Sequence, residues 1–203
     1  MTRPLLLDLF CGAGGAAMGY HRAGFDVVGV DVNPQPNYPF EFVQADALNP
    51  PFDLTRFDAI HASPPCQRYS VATAWRGDPA NHPDLFAPTR DMLTASGRPW
   101  VIENVPGAPF EPDVVLCGTL YGLQIRRHRW FLTSWPSFDL RFPCEHRPED
   151  YSFDHGGKQP ESVYRDAMGC DWMTVVESRN AIPPAYTEHI GRQLLEHIME
   201  AAA

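Results

Sequence analysis

Short, nearly continuous apolar stretches, separated by turns, run along the first two-thirds of the chain. Strands that are buried on both faces of a parallel sheet have this pattern. The predicted strands are Leu5–Phe10, Asp26–Val32, Phe40–Gln44, Asp58–Ala62, Trp100–Glu103, Val114–Cys117 and His128–Thr133.

Helical patterns lie between and after these stretches. Ala16–Ala23 predicts a short helix that Gly24 ends, and Thr89–Ala95 predicts a second one. A longer helix is predicted over Ala185–Ala202, where the residues that share one apolar face are Ile190, Leu194, Leu195 and Ile198. Alternating strands and helices indicate an α/β fold with a doubly wound, mostly parallel sheet.

Periodicity is lost between Ser134 and Gly169, where Pro, Gly, Asp, Glu and His accumulate. We expect a long irregular segment there, and such segments in compact domains are usually functional. The chain therefore divides into a catalytic and cofactor-binding part (1–133), this segment (134–169) and a C-terminal part that completes the first one (170–203).

Composition is that of an ordinary globular protein, with 203 residues, 44% of them hydrophobic and 20% charged. No apolar run reaches the ~18–20 residues of a membrane span, and Asp8 cuts the opening run Leu5–Leu7 too short for a signal peptide. The five scattered cysteines indicate reduced thiols. We therefore expect a cytoplasmic protein with no membrane partner.

The net charge of −9 argues against a protein that coats nucleic acid, but it leaves room for a local basic groove. Lys158 is the only lysine among 16 basic residues. An arginine-dominated set suits bidentate contacts to phosphates or bases, although biased codon usage would explain it equally well.

A glycine-rich turn, Gly12–Gly15, follows the first predicted strand and precedes a helix. Glycines there let the backbone approach a ligand closely. Asp31 ends the second strand, where a carboxylate can hold a ribose diol, and Asp46 follows the third strand within reach of an adenine amine. Together they indicate an adenosine-type cofactor, whereas a structural turn alone would explain only the glycines.

Three polar features follow or begin other strands of the predicted sheet. Cys66 comes after two prolines at the end of the fourth strand, and Glu103 ends the fifth. Ligands bind outside this edge of such sheets, and partial burial there would let Glu103 act as a proton donor. Arg127 and Arg129 flank His128, and alternation predicts both arginines on one face of the strand.

In this order, these elements resemble the C5-cytosine methyltransferase family. The residues that carry the resemblance are Asp8–Gly15, Pro65-Cys66-Gln67, Glu103-Asn104-Val105, Tyr121-Gly122 leading to Arg127 and Arg129, and Asn180–Pro184 followed by Ile190-Gly191. The resemblance implies a Rossmann-like methyltransferase fold and S-adenosylmethionine as cofactor.

The resemblance also implies roles for individual residues. Cys66 would add to C6 of cytosine while Glu103 protonates or hydrogen-bonds N3, and Arg127 and Arg129 would hold the base carbonyl and help activate the thiol. The implied cofactor-binding residues are Phe10, Cys11, Gly12, Gly14, Asp31, Asp46, Pro65, Leu85 and Asn180.

Two positions depart from the family pattern: Ile125 stands two residues before Arg127, where a glutamine is usual, and Arg179 replaces a usual glycine. Segment 134–169 is also much shorter than the family's target-recognition domain. We therefore expect relaxed sequence specificity, a separate specificity partner, or a substrate that is not recognised through a DNA groove.

Two further residue groups lie in loops. Cys144, His146, His155 and Cys170 match no standard zinc-finger spacing, so the sequence predicts loop residues and no metal. Trp75, Arg76 and His82 follow Cys66, where a closing lid over the base would be useful; a plain surface loop is an equal alternative.

Three hypotheses remain open. The first is transfer of a methyl group to C5 of cytosine in DNA. The second keeps this chemistry on RNA or on a cytosine nucleotide. The third is a catalytically silent binding subunit, which would not need Cys66, Glu103, Arg127 and Arg129 together. The oligomeric state is open in all three.

Overall fold

The computed structural model of the protein describes residues 2–70, 73, 75, 77–137, 143–147, 150–152 and 161–201. The strands are β1 (Leu5–Leu9), β2 (Asp26–Asp31), β3 (Glu41–Gln44), β4 (Ala59–Ala62), β5 (Trp100–Asn104), β6 (Val114–Leu116), β7 (Ile125–Arg126), β8 (Arg129–Thr133) and β9 (Tyr151–Ser152). The α-helices that we number are α1 (Gly15–Ala23), α2 (Phe86–Ala95), α3 (Glu161–Met168), α4 (Val175–Asn180) and α5 (Pro184–Ala201).

Seven strands form one sheet in the order β3-β2-β1-β4-β5-β8-β6. The pairs among β1 to β5 are parallel, and β8 is antiparallel to both β5 and β6. The chain leaves β1 toward β2 and β3 on one side, and β4 begins the other half. This reversal confirms the doubly wound, mostly parallel sheet, and it creates a crevice at the carboxyl ends of β1 and β4, where ligands of such folds bind.

One face of the sheet is covered by α1 and α5, which cross at glycines. A Cβ on Gly19 of α1 would lie 2.1 Å from Thr187 Oγ1 and 2.2 Å from Pro184 O of α5. A Cβ on Gly191 of α5 would lie 2.8 Å from Ala23 Cβ. The close approach buries Tyr20, Tyr186, Ile190 and Leu194 completely, and it fixes the first turn of α1 next to the predicted cofactor site.

The other face packs against α2, through Phe86 and Leu93, which are buried together with Leu7, Ile60 and Ile102 of the sheet. This helix begins three residues before its predicted start, because Pro88 occupies an early helical position that needs no N–H donor.

The prediction of an irregular segment over residues 134–169 was wrong in part, because α3 and the short strand β9 lie within it. Beyond that segment the structure also adds α4. Strand β9 pairs with β7 in a separate two-stranded parallel sheet. A strand of two residues leaves no periodicity to detect. The division of the chain into three parts stays a prediction.

Among the described residues, no helix combines the length and apolar character needed to cross a membrane.

Candidate active site

A strained turn connects β1 to α1 at the crevice. Phe10 has φ 57°, which is uncommon for a residue with a side chain, and Gly12 and Gly14 follow with φ 49° and 84°. The amide of Gly12 donates to Asp31 Oδ2 over 3.0 Å. The carboxylate at the end of β2 therefore holds the turn in shape. Such backbone strain is often found where a site must keep a fixed form.

This turn leaves room for a ligand. A Cβ on Gly12 would meet no atom within 4 Å, so open space lies beside its backbone. Asp31 also accepts from the amide of Asn33 over 2.9 Å; a carboxylate has about four acceptor positions, so two remain for donors such as ribose hydroxyls. Asp46, which is exposed, uses Oδ1 for the amide of Leu48 over 2.9 Å.

Other predicted cofactor residues occupy different surroundings. Cys11 is buried and belongs to the hydrophobic core, so its cofactor-binding role stays a prediction. A Cβ on Gly14 would lie 2.8 Å from Pro39 and 3.0 Å from Tyr38, so packing explains this glycine. Leu85 precedes α2 and is half-buried.

The C-terminal part closes over the same turn. Trp172 Nε1 donates to Ala13 O over 3.0 Å, and a Cβ on Gly15 would lie 2.3 Å from Ile182 O. Asn180, which ends α4 two residues before Ile182, is exposed. The predicted last cofactor motif thus packs against the glycine-rich turn, whereas the binding roles of Asn180, Leu85 and Pro65 stay predictions.

The loop after β4 presents Cys66. The Cys66 carbonyl accepts from the amides of Tyr69 and Ser70 over 2.9 Å each. Asn104 Nδ2, at the end of β5, donates to Pro64 O over 3.0 Å. Pro64 is buried, Pro65 is exposed and Cys66 is half-buried. The turn is therefore tied to the sheet while its thiol keeps access to solvent.

Glu103 and Arg129 form an ion pair next to this loop. Arg129 Nε lies 2.9 Å from Glu103 Oε1, and both side chains are largely buried. Since β8 runs antiparallel to β5, its first residue reaches the carboxyl end of β5. The predicted acid and one predicted arginine thus meet at the edge of the sheet.

Burial sets the protonation of both reactive groups. It raises the pKa of the Cys66 thiol; the charge of Arg129 lowers this pKa, Glu103 raises it and Arg127 lowers it. Burial likewise raises the pKa of Glu103 against the opposing charges of Arg129 and Arg127 and a hydrogen bond from Ser63. The thiol and the carboxyl are therefore close enough for the charge of one to act on the other, and burial favours the protonated form of each.

A series of buried hydrogen bonds, which the sequence did not reveal, leads from Tyr20 through His61 to Ser63, the hydrogen-bond partner of Glu103. His61 Nε2 lies 2.8 Å from Ser63 Oγ, and His61 Nδ1 lies 3.0 Å from the Tyr20 hydroxyl. Burial lowers the pKa of His61 to about 3, so the ring is neutral. Ser63 therefore has a second side-chain partner besides Glu103. An isolated histidine within an apolar strand carries no signal of this kind.

Arg127 differs from the expectation that it shares a face with Arg129. It precedes β8, and its guanidinium is buried, donating to the Tyr164 hydroxyl over 3.0 Å and to the carbonyls of Arg179 and Ala181 over 2.9 and 2.8 Å. These carbonyls lie at the end of α4. Strand alternation does not apply to a residue outside the strand, so Arg127 secures the C-terminal part, and its charge acts on the site through space.

Of the predicted lid, Trp75 is 80% exposed and His82 is half-buried, whereas Arg76 lies outside the described residues. Arg68 donates to the His82 carbonyl over 3.0 Å. The lid role of these residues stays a prediction.

The sheet order, with a glycine-rich turn and an acidic strand end at the crevice, defines a Rossmann-like fold of the S-adenosylmethionine-dependent methyltransferase class. The family model for C-5 cytosine-specific DNA methylase matches residues 5–109, just over half of the chain. The chain belongs to this family. The match contains the glycine-rich turn, Cys66 and Glu103.

Individual relatives agree with the family. The chain is 26% identical, over 95% of its length and 45% of the relative's, to the type II methyltransferase M.XorII of Xanthomonas oryzae pv. oryzae. It is 32% identical to the type II methyltransferase M1.HphI of Haemophilus parahaemolyticus, over 49% of the chain and 32% of that protein. The chain therefore spans less than half the length of these curated relatives.

Among solved structures, a candidate DNA modification methyltransferase encoded within an E. coli prophage matches with a TM-score of 0.50 at 23% identity. The match covers 64% of this chain and 46% of the other. At this identity the likeness concerns the fold alone.

Proposed function

We propose that the protein transfers a methyl group from S-adenosylmethionine to C5 of cytosine in DNA, through a covalent bond between Cys66 and C6. The observation that carries this proposal is the meeting of a half-buried thiol with the Glu103–Arg129 ion pair beside the glycine-rich turn. When bound, S-adenosylmethionine supplies an electrophilic methyl group. Phe10, Gly12, Asp31 and Asp46 would hold it at the crevice.

In this mechanism the Cys66 thiolate forms a bond to C6, and the electron pair of the C5–C6 double bond moves to C5. Cytosine N3 accepts a proton from Glu103, which limits the charge that builds up on the ring. Burial, which raises the pKa of Glu103, favours the protonated carboxyl from which this donation starts. Arg129 would orient the carboxyl and hold the base carbonyl.

The electron pair at C5 then forms the bond to the methyl carbon, whose bond to sulfur breaks. A base removes the proton from C5, the C5–C6 double bond re-forms, and the bond between C6 and Cys66 breaks to restore the thiolate. Glu103 recovers the proton from N3. Each bond that forms is thus matched by one that breaks, and no oxidant or reductant is needed.

DNA as substrate is supported by the family and by the names of the curated relatives. A duplex target would have to be flipped out of the helix to reach Cys66. Segment 134–169 is short for a domain that recognises a DNA sequence. This agrees with relaxed specificity or with a separate specificity partner.

Methyl transfer from tritiated S-adenosylmethionine to duplex DNA, single-stranded DNA, RNA and cytidine triphosphate tests the proposal. We expect label in cytosine-containing DNA, with affinity that falls as salt rises because phosphate contacts release counterions. Label in RNA alone, or in the nucleotide alone, would show that this molecule and not DNA is the substrate. No label in any of them, with cofactor binding intact, would favour the silent subunit.

Asp31→Ala gives a second test, which addresses the cofactor. Calorimetry should show weaker binding of S-adenosylmethionine, because the ribose diol and the turn at Gly12 both lose an acceptor. Asp58→Ala removes a carboxylate at the opposite, amino-terminal edge of the sheet, where Asp58 accepts from the amide of Leu5 over 2.7 Å. Equal affinities in both variants would refute the assignment of Asp31.

A further inference from the structure

Four side chains with metal-binding atoms converge near the connection between β7 and β8. Cys117 directly follows β6, His128 lies between β7 and β8, and Cys144 and His146 come from the segment after β8. One sulfur or nitrogen atom from each residue lies within 4.8 Å of the other three. We call these four residues the Cys2His2 cluster.

The distances between the donor atoms of this cluster fit one tetrahedral metal ion. The distances from sulfur to nitrogen are 3.5 Å for Cys117–His146, 3.2 Å for His128–Cys144 and 3.3 Å for Cys144–His146, with Nε2 as the histidine atom each time. Zinc bonds of about 2.3 Å to sulfur and about 2.0–2.1 Å to nitrogen place tetrahedral neighbours about 3.5 Å apart.

Hydrogen bonding alone explains the cluster poorly. A thiol is a weak donor and sulfur a weak acceptor, so four such groups gain little by gathering at one point. The two cysteines are free thiols and form no disulfide. Three separate segments nevertheless bring metal-binding atoms to the same position: two segments supply one atom each, and residues 143–147 supply two.

We propose that the Cys2His2 cluster binds one structural zinc ion. Two thiolates and two imidazoles are the donors that zinc prefers in tetrahedral sites, and four protein ligands leave no open position for catalysis. The sequence predicts no metal because the spacing of Cys144, His146, His155 and Cys170 matches no standard zinc finger. His155 lies outside the described residues, and Cys170 is packed against Met168 and Met173 instead.

The site would connect the short segment to the catalytic part. His128 lies between Arg127 and Arg129, so an ion bound to its ring would fix the connection between β7 and β8, which contains Arg127 and leads into Arg129. Residues 143–147 contain no helix or strand, and besides the cluster this stretch is held by the Arg126 guanidinium, which donates to the Arg147 carbonyl. The proposed zinc ion therefore supplies order where backbone pairing is sparse.

Metal analysis of the full chain tests the proposal. Protein purified without a metal-affinity tag should contain about one zinc ion per chain by mass spectrometry of the elements. Cys144→Ser should lose it, whereas the matched control Cys66→Ser, at another half-buried cysteine, should keep it. Zinc below one-tenth of an ion per chain, or equal zinc in both variants, would overturn the site.

A second measurement needs no variant, in case Cys144→Ser does not fold. The metal-depleted wild type, reconstituted with Co²⁺, should show the intense visible bands of a tetrahedral site and a charge-transfer band from thiolate to cobalt. His146→Ala, at an exposed ligand, should weaken these bands, and His21→Ala should not. A weak octahedral spectrum in the wild type contradicts the proposal. Neither result depends on methyl transfer, so this test stands apart from the proposed function.

Discussion

Opposing charges around one thiol decide its reactivity. Burial raises the pKa of Cys66 above its ordinary value of 9.0, and the largest contribution against that rise comes from Arg129. A protonated thiol does not add to cytosine. In the proposed mechanism, the charge of Arg129 therefore favours the thiolate against the effect of burial.

Alkylation of Cys66 by iodoacetamide, followed by mass spectrometry against pH, measures this balance. In the wild type the rate should rise only in the alkaline range, as the thiol loses its proton. Arg129→Gln should move the midpoint to higher pH, because the cation that lowers the thiol pKa is removed.

The control for this experiment is Arg68→Gln, at an arginine two residues from Cys66 whose charge is not among the causes of the shift. Its midpoint should equal that of the wild type. A midpoint for Arg129→Gln at or below the wild-type value would show that Arg129 does not act on the thiol.

At the scale of elements, the crossing of α1 and α5 fixes the glycine-rich turn. Gly19 has two oxygen atoms of α5 within 2.2 Å of the position that a Cβ would take. Thr187 Oγ1 also donates to Ala16 O over 2.8 Å, which ties the first turn of α1 to α5. A wider crossing would therefore disturb the turn beside Gly12.

Gly19→Ala should lower the free energy of unfolding by about 1–3 kcal/mol, because backbone atoms of α5 must move. Denaturant unfolding measures the change. Gly77→Ala is the matched control, since its Cβ would have its nearest neighbour at 3.9 Å and should leave stability nearly unchanged. Equal stabilities of the two variants would be inconsistent with the close crossing.

Most elements of the sheet were predictable, because buried parallel strands are continuous apolar stretches bounded by turns. The residues at strand ends, Cys66, Glu103, Asp31 and Asp46, followed from the same pattern. The predicted face of Arg127 differs from the structure because strand alternation was applied to a residue just before the predicted strand His128–Thr133, whereas β8 begins only at Arg129. The neutral His61 was missed because its partner Tyr20 comes from a distant helix.

The Cys2His2 cluster shows the same limit at longer range. Its members span residues 117 to 146 and share no repeat, and only the folding of β6, β8 and the following segment brings them together. A spacing rule detects ligands that one turn supplies. It does not detect ligands that three segments supply.

At the scale of the whole molecule, the residues of the proposed mechanism lie together where the strand order reverses, between β1 and β4. The turn after β1 and the loop after β4 lie on neighbouring strands, and β5 adds Glu103 beside them. The C-terminal part returns to cover the turn through Trp172 and Ile182. A cofactor at the turn and a base at Cys66 would therefore share one crevice.

The trapping of a covalent adduct tests this account most directly. The protein is incubated with S-adenosylmethionine and DNA that contains 5-fluorocytosine, whose fluorine blocks loss of the group at C5. We predict a denaturation-resistant complex of protein and DNA in the wild type and none in Cys66→Ala. The same complex in Cys66→Ala, or none in a wild type that methylates unmodified DNA, would contradict the covalent mechanism.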